Sequence, residues 1–430
     1  MQIKFTITVI FLLLSTHISA QSDRLIKVTV VPNSTDWNLK LGEKAEFDVS
    51  ITKSNIPLTN IDIRYELSYD MMKPIKVEKA TIKNGKLRID AGTMKTPGFL
   101  RCRVFVQYDG SDYEGRATIG FAPESLESTT IMPDDFESYW TKAIAANKNI
   151  PLAPTLRLLP DRCTSKVDVY EVGIQNYRYE SYIYGILCIP KASGKYPAAL
   201  NLPGAGIRPY NGDVSTAEKG IITLEIGIHG IPVTLDRSVY KALERGALNQ
   251  YFSENWDNRD DVYFKRVYLG CVKCIDYIFS LDKFDGENIV VQGGSQGGAL
   301  AIVTAALDSR VKGLVAFYPA LCELSGFTRD TAGGWPHIFG NLNDISCVLE
   351  QKIKTSQYYD VTNFARLLKV PGFYSFGYND MVCPPTSTYA AYNVIEAPKT
   401  LFVVPEIAHY SYPEQWLKSF AWITHTLKME

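Results

Sequence analysis

The sequence predicts an α/β protein with a doubly wound, mostly parallel sheet, preceded by a small antiparallel β-sandwich. From residue 132 onward, short apolar strands alternate with helical stretches, which is typical of a parallel sheet covered by helices. From residue 24 to 124, strand follows strand with turn residues between them, which favours a sandwich of immunoglobulin-like size. A glycine-rich turn at 293–298 joins one buried strand directly to one helix.

Residues 1–20 have the pattern of a cleavable secretory signal. Lys4 gives a short positive region, residues 7–14 form an apolar core, and Ile18-Ser19-Ala20 places small residues before the expected cut. The apolar run is too short to span a bilayer comfortably, and the sequence has no other run long enough for a transmembrane helix. We therefore expect a secreted or periplasmic protein without a membrane span.

The rest of the chain divides by composition. Residues 21–124 are predicted to form the sandwich, residues 125–131 a polar linker, and residues 132–430 the α/β domain. For the sandwich, a structural role as spacer or packing partner is favoured over substrate binding. Its strands are predicted at residues 25–31, 45–51, 61–69, 87–89, 99–108 and 115–121.

The α/β domain is expected to open with a helix at 133–147, capped by Asp134 or Asp135. Apolar positions at helical spacing predict further helices at 261–281, 297–307 and 413–427. Strands are predicted at 167–174, 181–189, 198–202, 221–226, 289–291, 314–317, 372–376 and 400–404.

Charge and cysteine content exclude some classes of function. The net charge is −1, so nothing favours nucleic acid or an anionic membrane surface. The motif Cys271-x-x-Cys274 lies within the predicted helix 261–281, whereas a redox pair belongs at a helix N-terminus and zinc needs more ligands. We interpret this pair as core filling. The eight cysteines could include disulfides in an exported protein: Cys102, Cys163, Cys188, Cys271, Cys274, Cys322, Cys347 and Cys383.

The turn Gly293-Gly-Ser-Gln-Gly297 matches G-x-S-x-G between a strand and a helix, the context of a nucleophile elbow. Gly293 and Gly297 would let the strand and helix backbones pass closely, while Ser295 occupies a strained turn. A plain glycine-rich turn is the alternative. Phosphate binding fits less well, because the sequence has no G-x-x-x-x-G-K-[ST] motif. Ser295 is therefore the candidate nucleophile.

A serine nucleophile needs a base and an orienting carboxylate, which follow it in the order Ser, Asp or Glu, His in α/β-hydrolases. Three histidines follow Ser295: His425 lies in the last predicted helix, His337 in an irregular insertion, and His409 after strand 400–404. His409 is the expected base, because active sites lie at the carboxyl ends of such strands. Asp380 is the one carboxylate in the loop after strand 372–376 and is the expected acid.

An oxyanion hole needs two N–H donors. Gln296 follows the nucleophile and is expected to give one backbone N–H. The other is expected from the loop Pro203-Gly-Ala-Gly206 after strand 198–202, where Ala205 is the preferred donor and Gly204 or Gly206 the alternative.

Several longer motifs resemble the acetyl xylan esterase / cephalosporin-C deacetylase family of α/β-hydrolases, over residues 133–428. They are Asp135-Phe-Glu-Ser-Tyr-Trp140, Tyr263-Phe-Lys-Arg-Val-Tyr268, Gly293-Gly-Ser-Gln-Gly-Gly-Ala-Leu300, Ala306-Leu-Asp308 and Asp380-Met-Val-Cys-Pro-Pro385. The resemblance implies a triad at the positions of Ser295, Asp380 and His409, and removal of acetyl groups from sugars. The chain departs from the family at Pro203-Gly-Ala205, where His-Gly-Tyr is usual, and at Ile228-His-Gly-Ile-Pro232, where Arg-Gly-Gln-Gly is usual. The sandwich lies outside the family core.

These inferences together predict an exported serine esterase that needs no metal or organic cofactor and acts on O-acetylated glycans such as xylan fragments. Its oligomeric state stays open. One rival is a serine peptidase of the prolyl oligopeptidase type, although residues 24–124 are too short for the propeller that such enzymes carry. The other is a non-catalytic glycan-binding protein, against which the intact set Ser295, Asp380 and His409 argues.

Overall fold

The computed structural model describes residues 24–340 and 347–429, so the predicted signal at 1–20 lies outside the described residues. The N-terminal part is built of two facing sheets. Its strands are β1 (Ile26–Pro32), β2 (Asn38–Leu39), β3 (Ala45–Lys53), β4 (Ile56–Pro57), β5 (Ile61–Tyr69), β6 (Pro74–Ile82), β7 (Lys86–Gly92), β8 (Gly98–Tyr108) and β9 (Ser111–Phe121).

The two sheets of this part enclose one apolar core. In the first sheet β3 pairs with β1, β4 and β7, and the second has the order β2-β9-β8-β5-β6. All ladders are antiparallel except the short β2–β9 pair. Alternate residues of β3, such as Phe47 and Val49, face the core, as the period of two predicts. Strand β6 was not predicted from the sequence, and its first six residues are exposed.

The second part is built on a nine-stranded sheet with the order β10-β11-β12-β14-β13-β15-β16-β17-β18. The strands from β14 to β18 run parallel, and β10, β11 and β12 pair antiparallel at one edge. This confirms the predicted mostly parallel sheet. The strands are β10 (Thr155–Leu158), β11 (Val167–Gln175), β12 (Tyr182–Pro190), β13 (Tyr196–Leu202), β14 (Ile222–Gly227), β15 (Phe284–Gly294), β16 (Gly313–Phe317), β17 (Gly372–Phe376) and β18 (Lys399–Val403).

Helices cover both faces of this sheet. Ile289 and Val291 pack in the larger core cluster, whereas Val290 between them packs with Ile423 and Leu427 on the opposite face. This explains why the strand is an unbroken apolar run. Among the described residues, no helix is both long and apolar enough to cross a bilayer. The helices are α1 (Phe136–Lys148), α2 (Val214–Ala217), α3 (Arg237–Arg245), α4 (Tyr263–Phe279), α5 (Gln296–Leu307), α6 (Cys347–Gln357), α7 (Val361–Ala365), α8 (Pro385–Asn393) and α9 (Pro413–Thr426).

The prediction that the side chain of Asp134 or Asp135 caps α1 is wrong. Asp135 occupies the N-cap position, but its side chain makes no capping bond. It is instead paired with Arg259 at 2.9 Å and accepts a hydrogen bond from the Tyr358 hydroxyl. An ion pair and a hydroxyl donor thus replace the backbone N–H as its partners.

The described cysteines are free thiols, and six of the seven are buried. Cys271 and Cys274 lie buried within α4, and burial raises the pKa of both thiols. This fits the interpretation of the pair as core filling. The side chain of Cys347 lies outside the described residues. The free thiols are Cys102, Cys163, Cys188, Cys271, Cys274, Cys322 and Cys383.

The polar stretch at 125–131 is anchored to the α/β domain. Both carboxylate oxygens of buried Glu323 accept hydrogen bonds from this stretch. One accepts from the Ser128 hydroxyl, and the other accepts from the N–H of Thr129 at 2.8 Å and from its hydroxyl at 2.7 Å. The Thr130 hydroxyl donates to buried Asp360 at 2.9 Å. The serine and threonine residues that suggest a linker therefore satisfy two buried carboxyl groups.

Candidate active site

Ser295 lies in the sharp turn between β15 and α5, with φ of 58° and ψ of −123°. Such a conformation is strained for a residue other than glycine. A Cβ added to Gly293 would lie 2.5 Å from the backbone of Gly297, and one added to Gly297 would lie 2.2 Å from the carbonyl oxygen of Leu202. Both positions therefore require glycine, and their absent side chains let the turn present Ser295 at the sheet edge.

The structure brings the three predicted residues Ser295, His409 and Asp380 together. His409 Nε2 lies 2.9 Å from Ser295 Oγ, and His409 Nδ1 lies 2.7 Å from Asp380 Oδ2. Asp380 follows β17 and His409 follows β18. All three thus stand at the carboxyl edge of the parallel sheet, where loops from adjacent strands meet.

Backbone groups of its own loop fix the orientation of the Asp380 carboxylate. Oδ1 accepts hydrogen bonds from the N–H groups of Val382 at 2.8 Å and Cys383 at 3.0 Å. Oδ2 is thereby directed at His409. Because a carboxylate can only accept, His409 Nδ1 carries the proton, and Nε2 is left free to accept the Ser295 hydroxyl proton.

Two further side chains support this arrangement, and the sequence did not assign them a role. His337 lies beside the acid loop rather than beside the serine, and its Nε2 donates to the Val382 carbonyl at 2.9 Å. Burial lowers the pKa of His337, so the neutral ring is favoured. The Tyr318 ring packs on the His409 ring with centroids 4.7 Å apart, which limits the positions open to the imidazole.

The segment 203–206 faces the serine, and Gly204 and Ala205 line the same cleft as Ser295. All four carbonyl oxygens of this segment accept hydrogen bonds from side chains, so its backbone orientation is fixed. The donors are Gln296 Nε2 to Pro203 at 3.2 Å, Arg208 to Gly204 at 3.2 Å and to Ala205 at 2.8 Å, and His229 Nε2 to Gly206 at 3.1 Å.

Two buried tyrosines hold these donors in turn. The Tyr251 hydroxyl donates to Gln296 Oε1 at 2.6 Å, and the Tyr263 hydroxyl lies 2.8 Å from His229 Nδ1. Since the Gly206 carbonyl can only accept, His229 carries its proton on Nε2 and accepts from Tyr263. Burial lowers the pKa of His229 to about 4, so the ring is neutral at neutral pH. Sequence reasoning missed this network, because its members lie on five separate segments of the chain.

A cleft of about 460 Å³ opens above Ser295. Aromatic side chains form much of its wall, including the Trp416 indole, which is 40% exposed. None of these aromatic residues was singled out from the sequence. The lining residues are Gly204, Ala205, Gly294, Ser295, Tyr318, Trp335, Val382, His409 and Trp416.

Asp380, Cys383 and His409 also place potential metal-ligand atoms within 4.8 Å of one another. Burial raises the pKa of the Cys383 thiol well above its usual range, so a thiolate ligand is disfavoured. Both oxygens of Asp380 already accept hydrogen bonds. The group fits a hydrogen-bonded Ser–His–Asp arrangement better than a metal centre.

Comparison with known proteins identifies the family of this chain. Residues 124–426 match the family described as acetyl xylan esterase. Acetyl esterase Axe7A from Xylanibacter ruminicola is 40% identical over 403 residues, which cover 93% of this chain and 90% of that protein.

Solved structures of similar proteins agree in fold. The acetyl xylan esterase from Paenibacillus sp. R4 is 26% identical with a TM-score of 0.61 and covers 70% of this chain and 98% of its own. Acetyl xylan esterase 1 from Thermoanaerobacterium sp. JW/SL YS485 is 23% identical with a TM-score of 0.61, covers 71% and 97% respectively, and supports the fold alone.

Proposed function

Because the chain belongs to the acetyl xylan esterase family, we propose that Ser295, His409 and Asp380 form its catalytic triad and that it deacetylates O-acetylated glycans. The family and the 40% identical relative make the chain a carboxylic ester hydrolase of the acetyl esterase kind. The observation that supports the triad most directly is the continuous pair of contacts from Ser295 Oγ through His409 to Asp380, at 2.9 and 2.7 Å.

The proposed reaction has two steps. Ser295 Oγ attacks the acetyl carbonyl carbon while His409 Nε2 takes the hydroxyl proton, and the imidazolium returns this proton to the departing sugar oxygen. The product is acetyl-Ser295 and a free sugar hydroxyl. Water then attacks the acyl carbonyl with His409 as base, acetate leaves, and Ser295 regains its proton. Asp380 stabilises the imidazolium in both steps.

The oxyanion would be bound by the backbone N–H groups of Gln296 and Ala205. Gln296 is the first residue of α5, where backbone N–H groups have no partner within the helix. The side-chain bonds to the carbonyls of segment 203–206 support Ala205, because a fixed backbone keeps its N–H in one direction. Donors held in place before the reaction need no reorganisation when charge develops.

The proposed substrates are acetylated oligosaccharides, such as xylan fragments. The aromatic walls of the cleft, with Trp335 and Trp416, suit the apolar faces of sugar rings. Export is proposed from the signal-like residues 1–20, with cleavage after Ala20. Mass spectrometry of the N-terminus after expression in a host that secretes proteins tests this. A mature protein that retains Met1 would contradict export by this route.

Acetate release from acetylated xylan fragments, followed by mass spectrometry, tests the activity. Ser295→Ala should lower kcat by about 10⁴- to 10⁶-fold without loss of fold. Ser280→Ala is the matched control, since its hydroxyl only donates to the Tyr277 carbonyl at a helix end. Near-normal turnover in Ser295→Ala, or cleavage of a proline p-nitroanilide in place of acetate esters, would exclude the proposal.

A further inference from the structure

We infer that the N-terminal sandwich positions the catalytic acid, through Arg101 on β8. This inference rests on the proposed role of Asp380. Arg101 is 1% exposed and lies at the contact between the sandwich and the loop 377–383. It contacts no reacting group, so its role is to position the loop that carries Asp380.

The guanidinium of Arg101 contacts the backbone of the acid loop directly. Its Nη2 lies 3.2 Å from the Asp380 carbonyl oxygen and 3.3 Å from that of Tyr378. Two sandwich residues hold the guanidinium in turn: Asp70 Oδ1 pairs with Nη2 at 2.7 Å, and the Thr118 hydroxyl accepts from Nε at 2.8 Å. The donor is therefore fixed on the sandwich side before it meets the loop.

Asp70 extends the same contact to the far end of the loop. Its Oδ2 accepts from the Thr386 N–H at 3.1 Å and from the Thr386 hydroxyl at 2.8 Å, in the first turn of α8. On the other side, the Phe99 ring packs edge-on against Tyr378 at 5.0 Å, and the Tyr378 hydroxyl donates to Asn38 at 2.9 Å. The sandwich thus contacts the backbone and side chains of the loop from both ends.

Contacts within the α/β domain also hold the loop, including the bond from His337 to the Val382 carbonyl, but the Tyr378 and Asp380 carbonyls receive theirs from Arg101. The bonds from Val382 and Cys383 orient the Asp380 carboxylate, but they belong to the same loop and would move with it. Tyr378 N and Asn379 N donate to Pro405 and Ile407 and tie the loop to the His409 segment along one side. Without Arg101, two buried carbonyls would lose their donor, and the loop would shift toward water to satisfy them.

A small shift of this kind matters because the His409–Asp380 contact is short. Misplacement of a catalytic group by about 1 Å can cost on the order of 10²-fold in rate. The remaining backbone ties limit the movement, so we expect a loss of kcat of about 10- to 100-fold with little change in KM. Unchanged KM follows because Arg101 lies away from the cleft above Ser295.

The test uses the full chain with Arg101→Met combined with Asp70→Asn. The second change removes the charge that Arg101→Met alone would leave buried and unpaired. Arg103→Met is the matched control, since Arg103 lies two residues along the same strand but pairs with Glu114 at 3.0 Å. Thr118→Val is a milder variant that removes only the acceptor of Arg101 Nε and preserves shape.

Two measurements separate positioning from a purely structural role. The first is kcat and KM with an acetate ester. The second is the far-downfield NMR resonance of the His409 Nδ1–H proton, which reports the hydrogen bond to Asp380 without any turnover. We expect the double variant to lose kcat and to shift this resonance, Thr118→Val to do both to a smaller extent, and Arg103→Met to do neither. Normal kcat and an unchanged resonance in Thr118→Val and in the double variant would overturn the inference. If wild-type activity survives Ser295→Ala, the proposed triad fails instead.

Discussion

Asp380→Asn should lower kcat by about 10⁴-fold, or about 5.5 kcal/mol at 1.36 kcal/mol per tenfold, with KM little changed. The structure dictates how the amide must sit. Oδ1 accepts two backbone N–H groups, so the amide oxygen must take that place and the NH₂ group must face His409. A donor opposite Nδ1 requires that the proton move to Nε2, and a protonated Nε2 cannot accept the proton of Ser295.

Steady-state hydrolysis of p-nitrophenyl acetate by wild type, Asp380→Asn and Asp282→Asn measures this loss. Asp282 is exposed in a surface turn, so its substitution controls for the chemical change. The nitrogen chemical shifts of His409 should show the exchanged tautomer, and the melting temperature should stay near that of wild type because size and both backbone bonds are kept. Turnover of Asp380→Asn within about tenfold of wild type would refute the reasoning from tautomers.

Three other outcomes follow from the structure. Ala205→Pro removes one proposed oxyanion donor and should lower kcat by about 10²–10³-fold, whereas Ala205→Ser keeps the N–H and should retain most activity; full kcat in a correctly folded Ala205→Pro protein would place the donor at Gly204 or Gly206. Burial lowers the pKa of His229 from 6.5 to about 4, so the unfolded chain binds its proton first, and the free energy of unfolding should fall by up to about 3 kcal/mol as the pH drops through this range. Equal pH dependence in wild type and His229→Gln, measured by urea unfolding, would contradict this. Acetate esters should react faster than butyrate and longer esters, and a chain-length series that peaks at octanoate would point to a different acyl pocket.

The sheet was predictable because apolar runs and turn residues report burial locally. The strand at 289–291 is apolar at every position since both of its faces are covered, and this pattern is visible without any structure. Short elements were not predictable. Helices α2 and α7 have four and five residues, which are too few to show a helical period.

The placement of the candidate site residues followed from chain order, since the carboxyl ends of parallel strands share one edge. Residues that hold the site in place from distant parts of the chain show no comparable pattern in the sequence. Arg101 precedes Asp380 by 279 positions and looks, in the sequence, like one more charged residue of a sandwich strand. Likewise, His229 meets the Gly206 carbonyl, and Tyr251 meets the Gln296 side chain, only after folding.

The anchored stretch at 125–131 has a consequence for where the chain can be cut. Glu323 is buried and receives hydrogen bonds from Ser128, Thr129 and Thr130, while Asp360 receives one from Thr130. A truncation that removes these residues would take those donors from the Glu323 carboxylate, which is a destabilising change. The segment whose composition suggests a linker is therefore a poor place to divide this protein.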